Sequence, residues 1–526
     1  MIVHDKSLLY GRYVVCAKEN IDVLPNDVKI LPAIRNGQCT RCQSKILKAW
    51  QLPNNVSYCW GCSKMGRITS NDYLITLADP NDFKHSERPC IWEGKLTAFQ
   101  EAVSNQQLIA LRKNISHLTY AVTGAGKTEM LFPMITKAIQ DNMRIAVVAP
   151  RIDVVIELKK RIQNAFIIPF VTLYGGSKDE YYYTQLVIAT THQLMTFKEA
   201  FDVIVIDEVD AFPYVENTML SYATEQALKK TGIKFYLTAT LNQQLKKLVK
   251  QGMIGFSTLP RRFHGYELPN LTIKIVQNWR RKLPLKVIKH IMYLKQMKIN
   301  FLLFVPEVDD VKRVVAQLTG TDINILGTYA TDEKRLEKVQ AMRAKQIDGL
   351  ITTTILERGV TFKGIDVLIL GGDENIFTAT ALIQIAGRCG RSLERPTGNV
   401  TVYAREKTKQ LMTAIAEINY LNILGKKDEK RLEKVQAMRA KQIDGLITTT
   451  ILERGVTFKG IDVLILGGDE NIFTATALIQ IAGRCGRSLE RPTGNVTVYA
   501  REKTKQLMTA IAEINYLNIL GKKYDM

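Results

Sequence analysis

The stretch His117-Leu-Thr-Tyr-Ala-Val-Thr-Gly-Ala-Gly-Lys-Thr128 joins a short apolar run directly to a glycine-rich loop. An amphipathic pattern over residues 129–140 follows, so the order strand, loop, helix is predicted. Glycines in such a loop let backbone N–H groups approach phosphate at the helix start, where a lysine adds charge and a hydroxyl holds Mg²⁺. The residues expected to bind the nucleotide are Thr123, Gly124, Gly126, Lys127 and Thr128.

A second apolar run, residues 202–206, ends in the acidic string Asp207-Glu-Val-Asp210. A carboxylate at the end of a buried strand is costly unless it faces a cation. We therefore expect Asp207 to orient Mg²⁺ and Glu208 to position the water that attacks the γ-phosphate. The two motifs, in this order, predict an ATPase that uses ATP and Mg²⁺.

Composition and charge narrow the class of protein further. The chain has 526 residues, long enough for several domains, and 46% of them are apolar, as in ordinary globular proteins. Its net charge of +21 favours a polyanionic partner such as nucleic acid, although a solubilising surface is the alternative. No apolar run approaches the roughly 20 residues that span a bilayer, and the first residues lack the secretory signal pattern. A cytoplasmic protein is expected.

Four cysteines near the N-terminus have the spacing of a metal site. Cys39 and Cys42 form one CxxC knuckle, and Cys59 and Cys62 form a second. Two such knuckles complete tetrahedral Zn²⁺ coordination by four thiolates, which leaves no open position for catalysis. Disulfides are the competing interpretation, but they suit an oxidising compartment. We expect a structural zinc ribbon. Basic and aromatic residues around it fit single-strand binding or a packed, solvated surface equally well.

Residues 332–427 recur without a difference as residues 428–523. A perfect 96-residue copy is typical of a recent tandem duplication or an artefact of sequence assembly, whereas solenoid repeats are shorter and diverge. The strands predicted before the repeat, residues 300–305 and 323–326, occur once, so the copies compete for one place in the fold. Looping out the first copy would cost about 3 kcal/mol. We expect the first copy to complete its domain and the second to remain partial, with unpaired strand edges.

Residues 94–427 resemble superfamily-2 helicases. Leu96-Thr-Ala-Phe-Gln100 is similar to the adenine-reading motif, and Leu237-Thr-Ala-Thr240 is similar to the coupling motif of that superfamily. Gln384-Ile-Ala-Gly-Arg-Cys-Gly-Arg391 matches QRxGRxGR except at Ile385. The resemblance implies a second-lobe catalytic set comprising Gln384 and two arginine fingers to the γ-phosphate, Arg388 and Arg391. It also implies contacts to the nucleic-acid strand at Pro150, Arg151, Gly175, Thr190, Thr191 and Thr353.

The implied fold is α/β, with two RecA-like parallel-sheet lobes and an N-terminal four-cysteine zinc ribbon. The expected domains are residues 1–90 with the ribbon at about 35–70, ATP-binding lobe 1 at 91–270, lobe 2 at 271–427, the partial duplicate at 428–523, and a tail at 524–526.

A more specific resemblance combines the ribbon with the strings AVTGAGKTEM (121–130), VIDEVDAFPY (205–214) and PRRFHG (260–265). Together they resemble the ComFA family of late competence proteins in Gram-positive bacteria. That resemblance implies a single-stranded-DNA-stimulated ATPase at the inner face of the cell membrane, which helps draw transforming DNA into the cytosol. The implied partners are single-stranded DNA, a competence phosphoribosyltransferase-like protein and the membrane DNA-uptake channel; a homo-oligomer stays open. The alternatives are a primosome- or recombination-type duplex helicase and an ATP-gated DNA-binding scaffold.

Overall fold

The structure is a computed structural model of the 526-residue chain. It describes residues 5–21, 24–357, 362–390, 395–439, 442, 446, 461–483, 485 and 494–524. The chain divides into two compact units, Met1–Gly425 and Lys426–Met526. Every candidate site residue named above belongs to the first unit.

The N-terminal region is built from short strands and 3₁₀ turns. The strands are β1 (Val14–Ala17), β2 (Lys29–Pro32), β3 (Ile34–Arg35), β4 (Gln38–Cys39) and β5 (Asp72–Thr76). Antiparallel β1-β5-β2 form one sheet, and β3-β4 form the hairpin that carries the first cysteine knuckle. The 3₁₀ turns are Lys6–Leu9, Lys18–Asn20, Lys48–Trp50, Pro53–Asn55 and Trp60–Met65.

A buried arginine ties this region to lobe 1. The Arg144 side chain has no exposed surface and pairs with the Asp79 carboxylate at 2.5 Å. It also donates to the Tyr10 carbonyl and the Tyr181 hydroxyl. A buried guanidinium whose donors are satisfied by several acceptors fixes the geometry of the elements that supply them. The N-terminal region is thus joined to lobe 1 by specific polar contacts as well as by apolar packing.

Lobe 1 is a seven-stranded parallel sheet flanked by helices, with strand order β12-β6-β11-β10-β7-β9-β8. Its strands are β6 (His117–Ala121), β7 (Ile145–Ala149), β8 (Phe170–Leu173), β9 (Leu186–Thr190), β10 (Phe201–Ile206), β11 (Leu228–Thr238) and β12 (Gly255–Leu259). Its helices are α1 (Ala98–Arg112), α2 (Phe132–Gln140), α3 (Ile152–Ala165), α4 (Thr218–Ala227) and α5 (Gln243–Lys250), with 3₁₀ turns at Glu129–Leu131 and Thr191–Thr196. β6, β7 and β9 are buried at every position, as expected for parallel strands covered on both faces.

Lobe 2 is a six-stranded parallel sheet with strand order β13-β18-β17-β14-β16-β15. Its strands are β13 (Leu271–Ile275), β14 (Phe301–Phe304), β15 (Ile325–Thr328), β16 (Gly349–Thr352), β17 (Asp366–Leu370) and β18 (Val400–Ala404). Its helices are α6 (Leu285–Gln296), α7 (Val308–Leu318), α8 (Arg335–Arg343), α9 (Ala379–Ala386) and α10 (Lys409–Arg439), with a 3₁₀ turn at Thr354–Glu357. The residues of α10 from Lys426 onward belong to the second unit. Two lobes of parallel strands alternating with helices confirm the predicted RecA-like α/β fold.

The two copies of the repeat have different surroundings. In the first copy, β16 pairs with β14 and β15, strands that the sequence contains once. In the second unit, β19 (Val463–Leu466) and β20 (Val496–Tyr499) form a two-stranded parallel sheet packed on α11 (Ala475–Ala482) and α12 (Lys505–Tyr524). Among the described residues of this unit, neither strand has a further partner, so both outer edges are unpaired.

Candidate active site

The glycine loop after β6 has the geometry of a phosphate cradle. Gly124 and Gly126 both lie in the left-handed region, at φ +82° and +74°, which glycine adopts without strain. Thr123 and Thr128 are buried beside them, and the whole loop lines one cleft with Lys127. Backbone N–H groups presented in this way, with a lysine at the end of the loop, suit the phosphates of ATP.

Gln100 supports this loop from α1. Its Oε1 accepts from the Thr97 N–H at 2.9 Å, and its Nε2 donates to the Ala125 carbonyl at 2.8 Å. A Cβ at Gly126 would lie 2.3 Å from Gln100 Nε2, so the glycine makes room for the amide. In this conformation Gln100 holds the loop backbone, and its reading of adenine stays a prediction.

Asp207 and Glu208 follow β10 and face the same cleft. Burial raises the pKa of Asp207 to about 6, and the nearby Lys127 charge opposes that rise. Glu208 has φ +52°, an uncommon conformation for a residue with a side chain, and its N–H donates to Asp207 Oδ1 at 2.8 Å. A buried carboxylate of this kind fits Mg²⁺ because a bound cation would offset its desolvation. With Thr128, it would hold the metal that neutralises phosphate charge.

The acidic string is joined to the next strand by a buried hydrogen bond. Thr240 Oγ1 donates to Asp210 Oδ2 at 2.6 Å, and the Thr240 N–H donates to Thr238 Oγ1 at 3.1 Å. The carboxylate string after β10 and the Leu237–Thr240 segment are therefore fixed to each other.

Lobe 2 contributes Gln384 and Arg388 to the cleft that also contains Lys127 and Asp207. Arg388 is 4% exposed, and its Nε and Nη2 donate to the Glu357 carbonyl at 2.8 and 2.6 Å. The structure thus brings Gln384 and Arg388 of lobe 2 to one crevice with the predicted lobe-1 residues Lys127, Thr128, Asp207 and Glu208. Arg391 lies outside the described residues.

Three features in or next to this cleft were not predicted from the sequence. Gly387 of lobe 2 lies so close to Thr123 that an added Cβ would be 1.7 Å from the threonine Oγ1. Arg161 of α3 lines the cleft and donates to Glu129 at 2.7 Å. Arg262 connects the lobes through backbone carbonyls. The Glu157–Arg161 spacing of four on a helix predicts only that those two side chains pair, as they do at 3.1 Å. The contact with Glu129 has no such local signal, and the other two features depend on how the lobes meet.

The residues expected to contact nucleic acid lie at or just after the carboxyl ends of strands β7, β8, β9 and β16. In lobe 1 these strands are neighbours, and the nucleotide residues follow β6 and β10 at the same edge. The side chains of Pro150, Thr190 and Thr191 are buried, so they do not present a surface to DNA in this conformation. Arg151, Gly175 and Thr353 are partly or fully exposed. Arg151 also approaches Glu357 across the lobes at 3.9 Å.

The four cysteines of the N-terminal region converge. Their sulfur atoms all lie within 4.8 Å of one another, with Cys39–Cys62 at 3.6 Å and Cys42–Cys59 at 3.5 Å. Tetrahedral Zn–S bonds of about 2.3 Å place sulfurs about 3.8 Å apart, so the set fits zinc.

A buried arginine next to the cysteine cluster also suits a negatively charged zinc–thiolate centre. Arg41 is 3% exposed and donates through Nε to Cys62 Sγ at 3.3 Å. A donor to a metal-bound thiolate balances its charge and orients it. Arg41 is therefore part of the ribbon, not of its basic surface, whereas Trp60 is 61% exposed.

Known domain families match both lobes. Residues 93–243 match the family described as "Type III restriction enzyme, res subunit". Residues 284–393, and again 393–488, match "Helicase conserved C-terminal domain". Two RecA-like lobes with these domains and a shared nucleotide cleft define an ATP-hydrolysing, helicase-like enzyme of superfamily 2. In the described part of the chain, no helix combines the length and apolarity needed to cross a membrane.

Two relatives share most of their length with this chain, and both are named "Competence protein ComFA". The one from Streptococcus pneumoniae (strain ATCC BAA-255 / R6) is 38% identical over 405 residues, which are 74% of this chain and 93% of the relative. The one from Bacillus subtilis (strain 168) is also 38% identical over 405 residues, 75% of this chain and 88% of the relative. The chain belongs to the ComFA family, and it is a competence-associated, helicase-like ATPase.

Among solved structures, S. cerevisiae Dbp5 bound to RNA and ADP BeF3 aligns with 62% of this chain and 88% of its own, at 15% identity and a TM-score of 0.47.

Proposed function

We propose that this chain is a single-stranded-DNA-stimulated ATPase that moves along DNA and helps import transforming DNA during natural competence. The observation that carries the proposal is the cleft that contains Lys127 and Asp207 from lobe 1 together with Gln384 and Arg388 from lobe 2. A nucleotide held from both sides favours a closed cleft, and hydrolysis removes part of that contact. ATP turnover would therefore change the distance between the lobes.

Closure of the cleft moves the protein along DNA when each lobe binds the phosphodiester backbone. The candidate grips follow β7, β8 and β9 in lobe 1 and β16 in lobe 2, at the carboxyl edges of the two sheets. The net charge of +21 and the exposed Trp60 support a single-stranded partner, because such sites combine cations with aromatic rings. We assign zinc to the four cysteines, and ATP with Mg²⁺ to the cleft.

The name of the two relatives supports a role in competence. The location and the protein partners are proposed by analogy with the family. We propose a peripheral location at the inner face of the cell membrane, with a phosphoribosyltransferase-like competence protein and the DNA-uptake channel as protein partners. Co-purification of the chain with each candidate partner, with and without DNA, tests these contacts. A chain that binds neither partner under either condition would contradict this part of the proposal.

The test of the motor has two stages on the full chain. Steady-state ATP turnover is measured with and without single-stranded DNA, with Lys127→Ala as the inactive control. Displacement of streptavidin from biotinylated single-stranded DNA is then measured with ATP and with a non-hydrolysable analogue. We expect DNA to stimulate turnover and ATP alone to support displacement. Stimulation without displacement would favour the scaffold, and unwinding of a forked duplex would favour the duplex helicase.

A further inference from the structure

The segment that joins the lobes, residues 260–270, contains a side chain whose contacts no motif of the ATPase explains. Arg262 is 2% exposed. Its neighbour Phe263 donates its N–H to the Gly124 carbonyl at 3.0 Å, which attaches the segment to the phosphate loop. The Arg262 side chain also covers Gly124, since a Cβ there would lie 3.7 Å from the Arg262 Nε. The backbone next to Arg262 and the Arg262 side chain therefore both contact the phosphate loop.

The other end of Arg262 reaches lobe 2. Its Nη2 donates to the Gly387 carbonyl at 3.1 Å and to the Cys389 carbonyl at 2.8 Å, and its Nη1 lies 3.5 Å from the Pro396 carbonyl. Gly387 and Cys389 directly precede and follow Arg388, so one guanidinium brackets the backbone of the arginine finger. These carbonyls also lie at the C-terminus of α9, where the helix dipole favours a cation.

We propose that Arg262 is a positioning residue that holds Arg388 in register with the phosphate loop. The inference rests on the proposed role of Arg388 at the γ-phosphate. It adds Arg262 as the residue that connects the backbone around Arg388 to the phosphate loop at Gly124. The hydrogen bonds of Arg262 go to the backbone on either side of Arg388, so its role is assigned through Arg388 and not on the nucleotide.

The chemistry of this position calls for a guanidinium. Three carbonyl oxygens in different directions match the fixed fork of arginine, whereas an ammonium group is a single point and a neutral amide offers fewer donors. Burial lowers the pKa of Arg262 to about 10, which still leaves the side chain charged at neutral pH. Gly390, at φ +74°, leaves space for the Pro396 carbonyl and for this guanidinium, since a Cβ there would lie 2.4 Å from Pro396 O and 3.2 Å from Arg262 Nη1.

The test is a double-mutant cycle on ATP turnover by the full chain with Arg262→Gln, Arg388→Gln and the combination. Misplacing a catalytic group by about 1 Å can cost about a hundredfold in rate, so we expect a loss of that order in kcat for Arg262→Gln with KM for ATP nearly unchanged. If Arg262 acts through Arg388, the combination is no slower than Arg388→Gln alone. Tyr120→Phe is the matched control, because it removes another interlobe hydrogen bond, to Glu417, outside the cleft.

Three outcomes distinguish a failure of the Arg262 proposal from a failure of the proposed function. Multiplicative losses in the combined variant overturn the role of Arg262 and leave Arg388 as a finger. Full turnover by Arg388→Gln contradicts the proposed function itself. If Arg262→Gln does not fold, Arg262→Lys is the deciding variant, since lysine keeps the positive charge but lacks the planar guanidinium with its several donors. A folded lysine variant with normal kcat overturns the proposal, and one with lowered kcat, normal KM and an unchanged melting temperature supports it.

Discussion

Replacing Gly387 by alanine tests whether the two lobes must touch at the phosphate loop for ATP hydrolysis. Gly387 caps the C-terminus of α9 with φ −62° and ψ −9°, a right-handed helical conformation that alanine adopts readily. The substitution should therefore leave lobe 2 folded. The obstacle lies in lobe 1, because the new Cβ would be 1.7 Å from Thr123 Oγ1 and 2.5 Å from Thr123 Cβ.

The magnitude follows from that overlap. Non-bonded carbon atoms sit about 3.5–4.0 Å apart, so the lobes must separate locally by roughly 1–2 Å. Overpacking of this kind costs about 1–3 kcal/mol, which corresponds to about 5- to 150-fold if it falls on the closed, reactive state. We expect kcat for ATP in the presence of single-stranded DNA to fall within that range, while the chain remains folded.

The duplicated segment supplies the control. Gly483→Ala makes the same change in the same local sequence, at the end of α11 where φ is −64°, but in the second unit. This variant should turn over ATP like the parent chain. Equal turnover by the two variants would refute the argument that contact between Gly387 and Thr123 belongs to the reactive state.

Further predictions concern the nucleotide, the metal and pH. Lys127→Ala and Asp207→Ala should each abolish ATP turnover while single-stranded DNA binding, measured by fluorescence anisotropy, persists; turnover at the parent rate would contradict the site. Metal analysis should find about one zinc per chain, by the four-thiolate stoichiometry, and chelation should destabilise the N-terminal region more than it lowers basal turnover. Burial lowers the pKa of His117 to about 4, so stability is lost as pH falls from the unfolded-state value of about 6.5 towards 4, by about 3 kcal/mol. His117→Gln should flatten that part of the pH profile of thermal unfolding, and an unaltered profile would count against the assignment.

Local patterns were sufficient to predict individual strands and the cysteine cluster, whereas the two-lobed fold was implied by the resemblance to superfamily-2 helicases. Parallel strands buried on both faces appear as continuous apolar runs, and residues 202–206 and 300–305 were read correctly in this way. The cysteine spacing fixed a cluster because each CxxC knuckle is a local structure.

Element boundaries were harder to predict. The strand expected at residues 323–326 lies at Ile325–Thr328. The helix expected from residue 129 begins as a 3₁₀ turn, Glu129–Leu131, and becomes α2 only at Phe132. Periodicity locates an element, but hydrogen bonds at its ends depend on neighbouring structure.

Contacts between the lobes could not be predicted from the sequence. Gly387 and Thr123 are 264 positions apart (387 minus 123). No local sequence pattern indicates that Thr123 leaves no room for a side chain at position 387. Arg262 belongs to the PRRFHG string (260–265), which contributed to the sequence prediction only as part of the resemblance to the ComFA family. Its acceptors are backbone carbonyls, which every residue carries, so its partners have no signature in sequence.

The measurement that tests the shared cleft most directly compares ATP turnover by Arg388→Gln with turnover by Arg484→Gln, the corresponding change in the duplicate. With saturating ATP and single-stranded DNA, Arg388→Gln should lose about a thousandfold or more in kcat while fluorescent-nucleotide binding is retained, as for an arginine finger. Arg484→Gln should match the parent chain. Parent-like turnover by Arg388→Gln, or a loss confined to Arg484→Gln, would contradict a nucleotide held between Lys127 and Asp207 on one lobe and Arg388 on the other.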